Sequence, residues 1–192
     1  MRKVGVLAIQ GDYAAHRAAL ARVGAEAFEV RTLADIAAAD RIVLPGGEST
    51  VMGSLLVRFG LMDALVARIR GGMPALGTCA GLILLAREVQ GYRQPGIGLL
   101  DVTVARNAYG RQIASFRAPV DATRVRGGAS GAGEIEAVFI RAPRITRIGP
   151  GVEVLASFRG DPVLVRQGKI LGCTFHPELV EDAAVHGYFL EL

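Results

Sequence analysis

Gly77-Thr78-Cys79-Ala80-Gly81 is the stretch from which the rest of the chain is read. It follows the short apolar segment Met73 to Leu76 and opens the run Leu82-Ile83-Leu84-Leu85-Ala86, a pattern of strand, sharp turn and helix. A thiol on such a turn stands at the first residues of a helix, where unpaired N–H groups and the helix dipole favour an anion. That is the setting in which a cysteine serves as a thiolate nucleophile. Glycines two before and two after let the backbone turn tightly and approach its neighbours closely. Gly-x-Cys-x-Gly is thus the thiol counterpart of the Gly-x-Ser-x-Gly nucleophile elbow. The pentapeptide does not decide the matter alone, because a cysteine in an apolar run is more often a small buried hydrophobe.

Upstream of the turn the chain alternates strand and helix. Lys3 to Ile9 reads as a buried strand, with Asp12 as N-cap and Gly24 as C-terminal stop of a helix carrying His16, Ala19, Leu20 and Val23 on one face. Ala25 to Val30 is a second strand, Leu33 to Ala38 a short helix, and Arg41 to Leu44 a third strand. Pro45-Gly46-Gly47-Glu48-Ser49-Thr50 ends it, and Ser49 or Thr50 is expected to cap a helix to about Phe59. Leu61 to Arg70 is helical again, Met73 to Leu76 the fourth strand, and the helix after the elbow is expected to reach about Gln90. Such alternation means a mostly parallel sheet with helices on both faces. Ligands bind such sheets at the carboxyl ends of the strands. Gln10-Gly11-Asp12, Pro45-Gly46-Gly47 and Gly77-Thr78-Cys79 all fall there, which brings Gly47 near Cys79.

The second half is strand-rich: Leu99 to Ala105, Gln112 to Val120, Ile135 to Ile140, Val152 to Phe158, Pro162 to Arg166 and Lys169 to Phe175, separated by turns such as Asn107-Ala108-Tyr109-Gly110. Arg126 to Gly133, rich in Gly, Ala and Ser, reads as a surface loop, and Val180 to Leu190 as a closing helix. The expected fold is therefore a three-layer α/β arrangement, a mostly parallel central sheet with helices on both faces and additional antiparallel strands. The 192 residues suffice for one domain, 1–192, and neither a repeat nor a long linker divides them.

Composition narrows the function. Apolar residues at 51% and charged residues at 21% exclude a disordered chain. No apolar run reaches the roughly 18 residues of a membrane span. Two cysteines, Cys79 and Cys173, make no disulfide framework, and a reducing, cytoplasmic setting is expected. The N-terminal Met1 to Leu7 reads as a strand rather than a signal peptide. A net charge of +4 is spread over scattered arginines, without the clustering that nucleic-acid binding needs. His16, His176, His186, Cys79 and Cys173 lack metal-ligand spacing, so neither a metal nor a cofactor is expected.

The partners of Cys79 come from Phe175-His176-Pro177-Glu178. Pro177 pushes His176 out of the helical region and into extended backbone. In an extended segment residues i and i+2 project to one side, so His176 and Glu178 can enter one site together. A carboxylate on one imidazole nitrogen orients the ring and leaves the other nitrogen to act as a base. Cys79, His176 and Glu178 then form a nucleophile, base and orienting group. His16 is read as a packed or hydrogen-bonded helix histidine, His186 as structural, and Cys173 as core.

Gly-x-Cys-x-Gly followed far downstream by His-Pro-Glu resembles the class I (triad) glutamine amidotransferases, which have a flavodoxin-like fold. The match is closer to the PdxT/SNO family, the glutaminase subunits of pyridoxal 5'-phosphate synthase. It is carried by Gly5 to Asp12, Leu44 to Thr50, Gly77 to Ala86, Gly98 to Val102, Arg106 to Gln112, Phe139 to Pro143, Val165 to Gly168, Phe175 to Glu178 and His186 to Phe189, nearly the whole chain. The resemblance implies hydrolysis of L-glutamine to glutamate and ammonia, with Cys79 attacking the side-chain amide, His176 moving the proton and Glu178 orienting His176. It implies an oxyanion hole from the N–H groups of Gly47 and Ala80, and glutamine held by Gly47, Glu48, Ser49, Arg106, Ile140 and Arg141. Gln10 and Gly46 are the residues it links to activation. The implied partner is a PdxS/SNZ-type synthase subunit, a (β/α)8 barrel, in a large hetero-oligomer, with no nucleic acid and no membrane.

Two other readings stand beside this one. A different enzyme on the same scaffold, either a glutaminase feeding another synthase or a PfpI-like thiol hydrolase, would keep the elbow. The latter commonly places a histidine directly after the cysteine, where this chain has Ala80. A non-catalytic scaffold subunit would keep the fold without needing Cys79, His176 and Glu178 together.

Overall fold

The computed structural model describes residues 3–106, 115–125 and 133–192. In its first half β1 (Lys3–Leu7), β2 (Glu26–Val30), β3 (Arg41–Leu44) and β4 (Ala75–Thr78) alternate with α1 (Tyr13–Arg22), α2 (Leu33–Ala38), α3 (Ser49–Arg58), α4 (Met62–Arg70) and α5 (Ala80–Leu85). There follow β5 (Ala86–Val89), β6 (Leu100–Ala105), β7 (Ser115–Asp121), β8 (Glu134–Ile140), β9 (Arg144–Ile148), β10 (Glu153–Phe158), β11 (Asp161–Gln167) and β12 (Ile170–Cys173). The 3-10 turn Pro177–Leu179 and α6 (Ala184–Glu191) close the order. Seven strands form the central sheet in the order β10-β11-β12-β4-β3-β1-β2. Pairing is parallel from β12 to β2 and antiparallel at β10-β11 and β11-β12. A three-stranded sheet, β5-β6-β9, and a ribbon, β7-β8, complete the described structure.

Strand alternation sorts the side chains into two cores, one on each face of the sheet. Leu7, Ile42, Leu44 and Ala75 meet Ile36 of α2, Met52 and Leu56 of α3, Leu65 of α4 and Leu84 of α5. Val4, Val6, Val43 and Leu76 face the other way, onto Leu20 of α1, Val185 and Phe189 of α6, and Val120 and Phe139 of the ribbon. Burying each such side chain contributes about 1.5–3 kcal/mol. The helices therefore lie on both faces, as the alternation of elements predicts.

Most boundaries follow local chemistry. Asp12 caps α1 by accepting from Ala15 N at 3.3 Å. Thr32 and Asp35 form a capping box at α2. Other expectations are corrected. Neither Ser49 nor Thr50 caps α3; Glu48 is the N-cap residue and no side chain closes it. The two hydroxyls donate elsewhere, Ser49 Oγ to Gln94 Oε1 at 3.2 Å and Thr50 Oγ1 to Glu48 Oε1 at 3.0 Å. The helix after the elbow stops at Leu85, because Ala86–Val89 pairs in parallel with β6 and that tertiary pairing overrides helix propensity. The closing helix begins only at Ala184, whose N–H donates to Asp182 Oδ1 at 2.9 Å. Strand β9, which the sequence reading omits, pairs antiparallel with β6. The turn at 107–110, the start of the strand expected from 112, and most of the stretch 126–133 lie outside the described residues. Among the described residues no single helix is long and apolar enough to cross a membrane.

One close approach fixes the elbow to the sheet. Gly81, in the first turn of α5, lies so near β3 that a Cβ there would overlap the Leu44 carbonyl oxygen. Gly81→Ala must push α5 away from β3. We expect a loss of about 1–3 kcal/mol, the usual cost of overpacking a dense core, read from urea unfolding midpoints. An unchanged midpoint would show that this contact is not tight.

Candidate active site

Cys79 is the N-cap residue of α5, with φ 48° and ψ −101°. Holding an L-residue there costs about 1–3 kcal/mol, a strain that persists only where the surroundings enforce it. Two backbone bonds do so: Cys79 N donates to Cys173 O at 2.9 Å, and Cys79 O accepts from Ile83 N at 3.2 Å. Only three described non-glycine residues have positive φ, and two of them, Cys79 and Arg141, line one cleft.

The parallel pairing of β4 with β12 explains how His176 reaches Cys79. Thr78 pairs with Cys173, so the residues that leave the two strands emerge side by side. His176 N donates to Val138 O at 2.8 Å, which ties the departing segment to β8. The segment is not extended through Glu178, as the sequence reading has it. Pro177 begins a 3-10 turn, a position its fixed φ suits, and that turn folds Glu178 back beneath the imidazole. His176 Nδ1 lies 2.7 Å from Glu178 Oε1. Gly46 packs directly on the ring, and a Cβ there would overlap His176 Cε1.

Both groups are buried, which shapes their charges. Burial alone would lower the His176 pKa. Hydrogen bonding and charge from Cys79 and Glu178 outweigh it and raise the value from 6.5 to about 10. Burial pushes the Glu178 carboxyl up, but His16 and His176 together hold it below its ordinary value. His16 is itself shifted down by its burial, with the Glu178 charge opposing that shift. Cys173, the other cysteine, is fully buried, and its pKa is pushed well up by burial. It is core, as expected.

The cleft in front of Cys79 has a volume of about 320 Å³ and is lined by Gln10, Gly46, Gly47, Glu48, Ser49, Arg106, Ile140, Arg141 and His176. That is the small end of the range for ligand pockets, about 300–1,000 Å³. All the residues implied by the resemblance are thus at the cleft or beneath it: Ala80 is buried as the first residue of α5, and Glu178 lies behind His176. Gly11, Asp12, Ile83 and Leu179 also line it. Arg106 Nη2 pairs with Glu48 Oε1 at 2.8 Å, with its guanidinium 4.9 Å from the centre of the Tyr92 ring. Gln10 Oε1 accepts from Glu48 N at 2.9 Å. Cys79 Sγ lies 3.8 Å from Ile140 O. A larger open groove of about 690 Å³ shares Ile83 with this cleft, but neither Cys79 nor His176 lines it.

Behind Glu178 lie three polar residues that the sequence reading assigns no part in the site. His16 of α1 and His186 of α6 are fully buried, with His16 Nδ1 3.0 Å from His186 Nε2. His16 Nε2 is 3.1 Å from Thr78 Oγ1 and 3.4 Å from Glu178 Oε2. The available signal was a histidine amid the apolar face of α1, where burial demands a polar partner.

A strained cysteine at a strand-to-helix turn, an imidazole beside it and a buried carboxylate behind the imidazole make an arrangement of the nucleophile-elbow type on an α/β sheet. The chain belongs to the SNO glutamine amidotransferase family, whose model matches residues 6–192. It is 51% identical over 191 residues to a pyridoxal 5'-phosphate synthase subunit PdxT of Thermus thermophilus, covering 98% of this chain and 96% of that one. The PdxT of Thermotoga sp. strain RQ2 is 47% identical over 190 residues, with 99% and 98% covered. A solved structure described as a glutamine amidotransferase superposes with a TM-score of 0.91 at 48% identity, covering 98% of this chain and 97% of that one.

The raised His176 pKa has a consequence for stability. Its contribution is fully present below the unfolded value of 6.5 and is lost as pH rises through about 10. Replacing Glu178 with Gln removes one cause of the shift. The stability gap between wild type and Glu178→Gln is therefore expected to be widest near pH 6.5 and to narrow toward pH 10. Urea unfolding across that range tests it, and a gap constant with pH would contradict the coupling.

Proposed function

We propose that this chain hydrolyses L-glutamine to L-glutamate and ammonia and delivers the ammonia to a pyridoxal 5'-phosphate synthase subunit. The observation that carries the reading is the line Cys79–His176–Glu178 at the floor of a cleft sized for an amino acid, in a chain whose close relatives bear the name of that synthase's subunit.

The chemistry runs in two halves. The Cys79 sulfur attacks the side-chain amide carbon of glutamine, and the carbonyl π pair moves to oxygen as an oxyanion. His176, carrying its proton through neutral pH, donates it to the departing nitrogen as the C–N bond breaks, leaving a thioester and ammonia. His176 then takes a proton from water, which attacks the thioester carbon, and glutamate leaves as the C–S bond breaks. Glu178 accepts from His176 Nδ1–H and so orients the ring, leaving its other nitrogen for the proton transfers. Cys79's own N–H is committed to Cys173 O, so the oxyanion is assigned to Ala80, whose N–H opens α5, and to Gly47 across the cleft. One such donor is worth about 10²–10³ in rate.

Free glutamine also carries an ammonium and a carboxylate at its α-carbon, and the cleft offers a group for each. Glu48 suits the ammonium and Arg106 and Arg141 suit the carboxylate, with Ser49 and Ile140 alongside. Without substrate Glu48 and Arg106 neutralise each other. Gln10 holds the peptide after Gly47 through Glu48 N–H, and a turn of the Gly46-Gly47 segment linked to partner docking is the assigned activation step. The partner is a (β/α)8-barrel synthase subunit in a large hetero-oligomer, and the setting is cytoplasmic.

Glutamate release is to be measured with this chain alone and then mixed with the synthase subunit; strong stimulation is expected. Activity without stimulation would indicate a glutaminase for another acceptor, and no activity in either case a scaffold subunit. Cys79→Ala is expected to abolish glutamine-dependent synthesis while ammonia-dependent synthesis by the partner continues. Wild-type glutamate release by that variant would remove Cys79 from its role. Glu178→Gln should cost less than His176→Ala, since packing also orients the ring; equal, complete losses would contradict that division.

A further inference from the structure

The mechanism above uses one oxygen of Glu178. The other, Oε2, is buried and has no full hydrogen-bond partner among the described residues. His16 Nε2 lies 3.4 Å from it, and also 3.1 Å from Thr78 Oγ1, the residue immediately before Cys79. His16 is itself braced by His186 from the far end of the fold, Nδ1 to Nε2 at 3.0 Å. Burial drives both rings toward the neutral form, His186 to a pKa of about 3. In that form each ring has one N–H to give.

Only one tautomer assignment suits the carboxylate. If His16 donated from Nδ1 to His186, its Nε2 lone pair would face the Oε2 lone pairs. The reverse assignment has His186 Nε2–H donating to His16 Nδ1. His16 Nε2–H is then aimed between Thr78 Oγ1 and Glu178 Oε2. At 3.4 Å the second contact is an N–H dipole facing an anion rather than a full hydrogen bond. A second tie runs beside it: Arg22 Nη2 of α1 donates at 2.8 Å to Val180 O, just past the turn that carries Glu178.

Two buried imidazoles are a costly way to fill a core, because apolar side chains of similar volume carry no desolvation penalty. We propose that His16, oriented by His186, is a positioning residue for the triad: it fixes the outer oxygen of Glu178 and so keeps His176 aimed at Cys79. This deepens the glutaminase reading and rests on it. The titratable groups around Glu178 are His176 on its own turn, His16 on α1, His186 on α6, and Cys79 and Cys173 beside the ends of β4 and β12. Asp12 and Arg22 act on the two outer histidines.

The test uses the chain in complex with its synthase subunit and compares His16→Leu, His16→Gln and His16→Asn. Gln keeps an N–H at the place of Nε2; Asn reaches only the place of Nδ1. In His16→Leu, kcat is expected to fall about tenfold or more with KM within about twofold, the scale of removing a group that orients a functional ligand. Gln should recover most of that loss and Asn little of it. On a Glu178→Gln background the further loss from His16→Leu should shrink to about threefold or less, because the two act through one contact. Additive losses, a change in KM alone, or equal behaviour of Gln and Asn would overturn the proposal. Should His16→Leu fail to fold, the Gln and Asn pair decides.

A second readout separates this inference from the reaction. The His176 imidazole, titrated by NMR, should lose protons at lower pH in His16→Asn than in His16→Gln. An unmoved titration would sink the positioning role even in an active enzyme. A wild-type chain that releases no glutamate would instead sink the functional reading and leave the titration to judge His16.

Discussion

A buried carboxylate governs this structure. Glu178 is 5% exposed, and an unpaired anion at that depth costs several kcal/mol in a real protein. It is tolerated because imidazoles approach both oxygens, His176 at 2.7 Å and His16 at 3.4 Å. Those rings must in turn be held, and the fold supplies the holders: β12 and β8 for His176, α1 and α6 for His16. One buried charge therefore draws on elements from both ends of the chain.

The strained cysteine is the other half of the arrangement. A backbone conformation that few L-residues adopt is stable here because β3, β4 and β12 surround it. Gly81 lies flush against Leu44, and Cys173 accepts the cysteine's own N–H. Local strain is offset by dense packing on both faces of the sheet, where Leu44, Leu76 and Leu82 are fully buried. The outcome is a sulfur whose direction is set by the sheet rather than by its own rotamer alone.

Much of this was legible in the residues. Strand alternation marked β1 to β4 because both faces of a parallel sheet are apolar, and the loops at their carboxyl ends marked the cleft. Legibility failed where a distant partner outvoted local preference. Residues 86–89 continue an apolar helical pattern, yet they pair with β6. Arg144–Ile148 drew no strand assignment, because its pairing is with β6, some forty residues earlier. Pro177 signalled a departure from helix at His176 but not the 3-10 turn after it. The roles of His16 and His186 were hidden for a different reason. A buried histidine is identified by its hydrogen-bond partners, and these came from residues more than sixty positions away.

The order of the central strands carries one more consequence. Cys79 and Thr78 end a strand in the first half of the chain, while β12, His176 and Glu178 come near its close, and His186 later still. During synthesis Cys79 emerges long before His176, Glu178 and His186 exist. An unfinished chain thus holds Cys79 without the imidazole and carboxylate that the finished fold sets beside it. The topology therefore completes the cleft last, once β12 has closed onto β4.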